Sequence, residues 1–272
     1  MGVSSLYGRG GAQMGFGPPH TPDIIKNLMI ANGVVFIAQL LGPSVGFDVT
    51  SFGVVQPAAV WHDFQLWRMF TYMWLHSPTS FLHIAFNMFA LWMFGSPVAL
   101  LWGEQRFLRY YLTCGVGAGF LIASIPVILG WLGMASAADY FGLTLGASGA
   151  VMGVLLAYSF TWPDRTIMLL FPPIPMKAIY LIPLLFLIEW ISSASNVSHV
   201  GHLAGVLVGW IYLVNEGRTP GAPTPQTLLL KWRRYQMRQK IRAIHREDRQ
   251  QRGRRGRGRD DDDDQDRPRR FH

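Results

Sequence analysis

Apolar stretches of nearly equal length recur along the chain, at about residues 24–42, 81–101, 107–130, 143–161, 174–192 and 199–215. A hydrocarbon layer of ~30 Å needs about 20 apolar residues in helical conformation to cross it. The pattern therefore predicts an all-α membrane protein built on six transmembrane helices. The first stretch carries Lys26 and the last is short. Residues 1–22 are rich in Gly, Ser and Pro and read as a flexible lead. Residues 23–217 form the six-span domain, and 218–272 form a charged tail.

Composition agrees with the pattern. Half the residues are hydrophobic and 15% are charged, which is too apolar for an ordinary soluble domain. The N-terminus lacks the basic start and small-residue cleavage site of a secretory signal, so the first span is expected to be retained. The net charge of +8 is concentrated in the tail, where 17 of the 24 Lys and Arg residues lie at or after Arg218. Arg9, Lys26, Arg106, Arg109, Arg165 and Lys177 share the tail's side of the predicted bundle, and Arg68 alone lies opposite. The positive-inside rule then puts both termini in the cytoplasm. The compact six-span plan points to a multi-pass protein of a bacterial cytoplasmic (inner) membrane. The loops 43–80 and 131–142 and the link 193–198 face outward. In 43–80, Trp61, Phe64, Trp67, Phe70, Tyr72 and Trp74 crowd together at a density suited to the headgroup belt and to short interfacial helices.

Several polar groups interrupt the apolar stretches. Ser148 stands among Gly146, Gly149 and Gly153 in the fourth, where so many small residues imply the close approach of another backbone. Taken alone, Ser148 reads equally as a packing residue or as a nucleophile. His83 and Asn87 are one helical turn apart on one face of the second span, and either bond to neighbouring helices or present donors to a common point. In the sixth, His202, Gly205 and Gly209 share a face that lets a partner backbone approach and shows it an imidazole. His199 lies further out, in a structural or solvated role. Glu189 ends the fifth span near the interface, and the single cysteine, Cys114, reads as buried and inert.

If the fourth and sixth spans meet through their glycines, Ser148 and His202 come within reach of each other. A serine hydroxyl needs a base to become a nucleophile, and a neutral imidazole serves near working pH. The three spans concerned hold no acidic residue near the site, so a Ser–His dyad is the economical form. Asn87, His83 and the Ser148 backbone N–H are available as donors to a tetrahedral oxyanion.

These motifs resemble the rhomboid intramembrane serine proteases. The resemblance rests on Leu66-Trp67-Arg68 in the first outer loop and His83-x-x-x-Asn87 in the second span. It also rests on Gly146-Ala-Ser148-Gly149 in the fourth and Gly201-His202-Leu-Ala-Gly205-x-x-x-Gly209 in the sixth. It covers about residues 24–215 in the right order. It implies a six-helix rhomboid-like bundle with an outward water-filled cavity and a Ser148–His202 dyad at its floor, without metal or cofactor. It implies oxyanion stabilisation by Asn87 and His83, loop support by Trp67 and Arg68, and packing by Gly146, Gly149, Gly205 and Gly209. The substrates implied are single-span transmembrane proteins, cut near the outer membrane face. Met152 departs from the aromatic that many relatives carry four residues after the serine, and its polarizable thioether fills the same space.

Two rivals remain on the sequence. One is a catalytically silent rhomboid-like protein that binds and handles membrane clients, against which the intact Ser148 and His202 count. The other is a solute transporter, for which the chain shows no internal repeat. In the tail, Leu228 to about Arg249 is basic and helix-permissive and suits anionic lipid headgroups. The Arg/Gly run beside Asp260–Asp264 carries the composition of a disordered segment. Solvation or lipid contact is favoured there over nucleic acid.

Overall fold

The computed structural model describes residues 17–169, 173–192, 199–216 and 237. The chain divides into a unit over Met1–Ala222 and a second over Pro223–His272, of which Met237 alone is described. The expected lead over 1–16, the link 193–198, the Glu189 side chain and nearly all of the tail lie outside the described residues.

The described chain is mostly helical. Helix α1 covers Asp23–Leu41, α2 Phe81–Trp102, α3 Glu104–Trp131, α4 Ser148–Thr161, α5 Leu181–Ser192 and α6 His199–Glu216. Among the described residues, three helical segments are long and apolar enough to cross a membrane: Asp23–Val45, Phe81–Trp102 and Glu104–Trp131. Ser148–Thr161 and Ala178–Ile188 are apolar but shorter.

In α1 the usual polarity of a helix is inverted. Ile30, Val34, Ile37 and Leu41 are exposed, whereas Asn32 and Gln39 are buried. Apolar groups facing outward and polar groups facing inward are what lipid demands. Helix α2 passes through a π-helical turn at Leu91–Gly95, just before Pro97. A proline cannot donate its backbone N–H, and a π turn is a local way to absorb that defect. Helix α3 runs for 28 residues with Pro126 inside it and lays Tyr110, Tyr111, Cys114 and Ala118 into the core.

Helix α4 is the centre of the bundle. Every residue from Gly149 to Ser159 is buried, so protein rather than lipid surrounds it on all sides. Its 14 residues span about 21 Å, short of a ~30 Å hydrocarbon layer. The helix begins at Ser148, five residues later than the apolar stretch suggests, because the backbone of residues 144–146 bonds to other parts of the chain instead of continuing a helix. Thr144 exchanges both backbone hydrogen bonds with Val55, each 2.9 Å, and the Gly146 N–H donates to the Tyr72 carbonyl at 3.0 Å. These bonds satisfy a stretch that has left the helix, the condition for non-helical backbone at membrane depth.

Elsewhere the connections are compact. The 43–80 loop folds into short helical turns at Gly42–Val45, Val49–Gly53, Pro57–Trp61, Arg68–Thr71 and Tyr72–Trp74. After α4 the chain forms an antiparallel hairpin of β1 (Thr166–Met168) and β2 (Pro175–Lys177), so the apolar stretch expected from 174 becomes helical only at Ala178. Arg106 pairs with Glu216 and lies over the Trp102 ring, tying the start of α3 to the end of α6.

Candidate active site

Ser148 is the first residue of α4 and is half-buried. The chain reaches it through Gly146, whose φ is +130°. That conformation strains any residue with a Cβ, and space forbids one as well. A Cβ at Gly146 would lie 2.9 Å from His83 Nε2, 3.0 Å from His83 Cε1 and 3.6 Å from Ser148 Oγ. The His83 imidazole therefore covers Gly146 beside the serine hydroxyl. The first N–H groups of α4 have no partner within the helix, so this end offers backbone donors next to Ser148.

The His83 ring has a defined direction. Its Nδ1 accepts the Ser77 backbone N–H at 3.2 Å. A neutral imidazole that accepts at one nitrogen carries its proton on the other, so Nε2 is the donor facing the Gly146–Ser148 turn. Asn87, one turn deeper, is buried and donates from Nδ2 to the His83 carbonyl at 2.8 Å. An amide has two N–H groups, and this bond uses one of them.

The approach of α6 depends on glycine. A Cβ on Gly205 would overlap the carbonyl of Gly149, so the two backbones touch there. A Cβ on Gly209 would lie 3.2 Å from Gly153 Cα, and one on Gly149 would lie 3.3 Å from the Gly201 carbonyl oxygen. His202, half-buried, stands between Gly201 and Gly205 and within charge–charge range of His83. Ser148, His83 and His202 thus gather at one crossing of α4 and α6, with α2 alongside. His199 is exposed at the start of α6, and Met152 is buried one turn after Ser148.

Trp67 and Arg68 lie in the 43–80 loop and not at this crossing. Arg68 donates from NH1 to the Ser51 and Val54 carbonyls at 2.8 Å each, and from Nε to Gln65 Oε1 at 2.6 Å. Trp67 stacks on Phe52 at 5.6 Å and donates to the Phe52 carbonyl at 3.3 Å. Together they staple residues 51–54, whose neighbour Val55 anchors the strand leading to Ser148. Asp139, in the loop after α3, caps its own short helix through Ser136. Among the described residues no group of three or more His, Cys, Asp and Glu side chains could hold a metal ion.

His76 goes unmarked in the sequence, since it lies between the apolar stretches with no periodic partner. It is fully buried, with its ring 5.2 Å from that of His83 at 64°. Burial, with His83 close by, pushes the His76 imidazole down from 6.5 to about 4. In the unfolded chain it takes up a proton below about 6.5, and in the folded chain only near 4. The unfolded state therefore binds more protons between these values, and stability present above pH 6.5 is lost as the pH falls toward 4. The full difference is roughly 3 kcal/mol. The thermal midpoint in detergent is expected to fall between pH 7 and pH 4.5 by several degrees more in wild type than in His76→Gln. Parallel curves would refute it.

The family model for the Rhomboid domain matches residues 63–218, more than half of the chain. The chain is 27% identical over 183 residues to "Rhomboid protein 1, mitochondrial" of Saccharomyces cerevisiae, covering 62% of this chain and 50% of that protein. It is 30% identical over 145 residues to "Presenilin-associated rhomboid-like protein, mitochondrial" of Mus musculus, covering 50% of this chain and 35% of that one. It is 30% identical over 203 residues to "Rhomboid-like protein 15" of Arabidopsis thaliana, covering 70% and 46%. The chain thus spans half or less of the length of each of these relatives.

These matches overturn one expectation. A bacterial cytoplasmic membrane does not stand against relatives that are mitochondrial or plant proteins. The physical reason is that span lengths and charge asymmetry record that a chain crosses a bilayer and which side is basic. Neither identifies the membrane. Matched over 63–218 by the Rhomboid domain, the chain belongs to the rhomboid family.

Proposed function

We propose that this rhomboid is an intramembrane serine endopeptidase that cleaves transmembrane-helix substrates by a Ser148–His202 dyad, in a bundle of six spans. The observation that carries this reading is the glycine-lined crossing of α4 and α6, which gathers Ser148, His202 and the Nε2 donor of His83. The short α4 supports it too, since a 14-residue helix sets its first residue below the membrane surface, within reach of a substrate's end. The mitochondrial and plant names of the relatives favour an organelle membrane.

In the reaction, His202 takes the Ser148 Oγ proton as the oxygen attacks the scissile carbonyl carbon. The carbonyl π pair moves to oxygen, and the oxyanion receives hydrogen bonds from His83 Nε2–H, the Ser148 backbone N–H and the second Asn87 N–H. His202 then gives its proton to the leaving amine as the C–N bond breaks, leaving an acyl ester on Ser148. Water, deprotonated by His202, hydrolyses that ester and restores the serine. No step calls for a metal or cofactor. The exposed apolar side chains of α1, α2 and α3 face lipid.

The test is cleavage of a reporter transmembrane helix in proteoliposomes, together with labelling by a fluorophosphonate. Wild type labels and Ser148→Ala does not. A wild type that neither labels nor cuts would be the silent, client-binding relative. Asn87→Ala is expected to lower turnover roughly 10–1000-fold with an unchanged thermal midpoint. A collapse of the midpoint instead would assign Asn87 to the fold through its bond to the His83 carbonyl.

A further inference from the structure

Gln39 lies on α1, outside every motif that marks the site, yet its amide is engaged on all sides. It is buried, and its Nε2 donates to the His76 carbonyl and to Thr50 Oγ1, each at 2.9 Å. Its Oε1 accepts the His76 N–H, also at 2.9 Å. One side chain thus holds both backbone groups of His76.

The His76 carbonyl and the Ser77 N–H belong to the same peptide unit. In a trans peptide these two groups point in opposite directions from one rigid plane. Holding the carbonyl toward α1 therefore aims the N–H away from α1, and the group it meets is His83 Nδ1, at 3.2 Å. The packing of the His76 ring on the His83 ring, centroids 5.2 Å apart, keeps the two residues in register.

We propose that Gln39 is a positioning residue for His83: by orienting the peptide between His76 and Ser77 it keeps His83 in the tautomer whose Nε2 proton faces Ser148. This rests on the reading of His83 as an oxyanion donor. Without a fixed donor at Nδ1, a neutral imidazole places its proton on either nitrogen. Only the Nε2–H form offers a hydrogen bond toward Gly146 and Ser148. Support of this kind, one bond removed from the reacting groups, is how enzymes set ring orientation and tautomer elsewhere.

The experiment compares wild type with Gln39→Met, which keeps the length of the side chain and deletes its hydrogen bonds, and with Ser77→Pro, which deletes the N–H itself. The tautomer is read by 15N NMR of histidine-labelled protein in detergent, with the His83 signal identified by its loss in His83→Gln. Wild type is expected to hold the proton on Nε2. Both variants should show a mixture of tautomers, with kcat lowered about 10–100-fold and KM little changed. Gln39→Glu, whose protonated carboxyl keeps an acceptor and one donor in a buried site, should restore both readouts in part. A variant that folds with the wild-type tautomer overturns the proposal, as does a lowered thermal midpoint with normal turnover per folded molecule. If wild type cuts no substrate while the tautomer still shifts in Gln39→Met, the protease reading fails and the positioning role stands.

Discussion

Ser148→Ala is expected to abolish cleavage of a reporter transmembrane helix in proteoliposomes, lowering turnover by roughly 10⁴-fold or more. His202→Ala should do nearly the same. The double variant should be no worse than either single one, because a nucleophile and its base act as one unit. The thermal midpoint should move by only a few degrees in either case, since neither side chain is fully buried. Residual cutting in Ser148→Ala at a tenth of the wild-type rate would sink the nucleophile assignment. An additive loss in the double variant would instead mean that His202 acts separately from Ser148.

The second large effect is structural. Gly205→Val is expected to cost more than about 3 kcal/mol and to remove activity with it, because the added carbons meet the backbone of Gly149. Backbone in a packed helix cannot move aside as a side chain can. Gly209→Ala provides the contrast. Its nearest obstacle is the Tyr110 hydroxyl, 2.6 Å from the new Cβ, which must give up its 2.7 Å bond to the Gly153 carbonyl to make room, whereas no backbone atom lies closer than 3.2 Å. That variant should lose clearly less of its thermal midpoint in detergent and of its turnover than Gly205→Val. Equal losses in the two would mean that the α4–α6 crossing is looser than these contacts require.

The same crossing separates what is legible in the chain from what is not. The apolar stretches and their small-residue faces are local patterns, so the helical membrane class and the motifs of the rhomboid family could be read directly. Gly146, Gly149, Gly205 and Gly209 announce close approach by their lack of side chains, although the spacing does not say which helix approaches. The start of α4 is a different matter. Apolarity runs unbroken from Leu143, yet the helix waits until Ser148, because Thr144 pairs with Val55, almost ninety positions earlier. The fifth stretch likewise yields its first residues to the β1–β2 hairpin.

The polar groups divide in the same way. His83 and Asn87 stand out because polar side chains are costly in a bilayer. Their roles do not follow from that cost, since one N–H of Asn87 turns back to its own helix. Gln39 and His76 carry no spacing signal at all, and each becomes meaningful only through a bond across 37 residues.

The sequence by itself determined that this chain is an apolar, helical membrane protein, with a serine and a histidine set among small residues in two spans and a histidine and an asparagine one turn apart in a third. Only the tertiary structure decided where α4 begins, that the Ser77 N–H meets His83 Nδ1, and that Gln39 holds both backbone groups of His76. The physical reason is range. Hydrophobic period and residue size act within a turn or two of helix, whereas hydrogen bonds between distant loops are set only once the helices have packed.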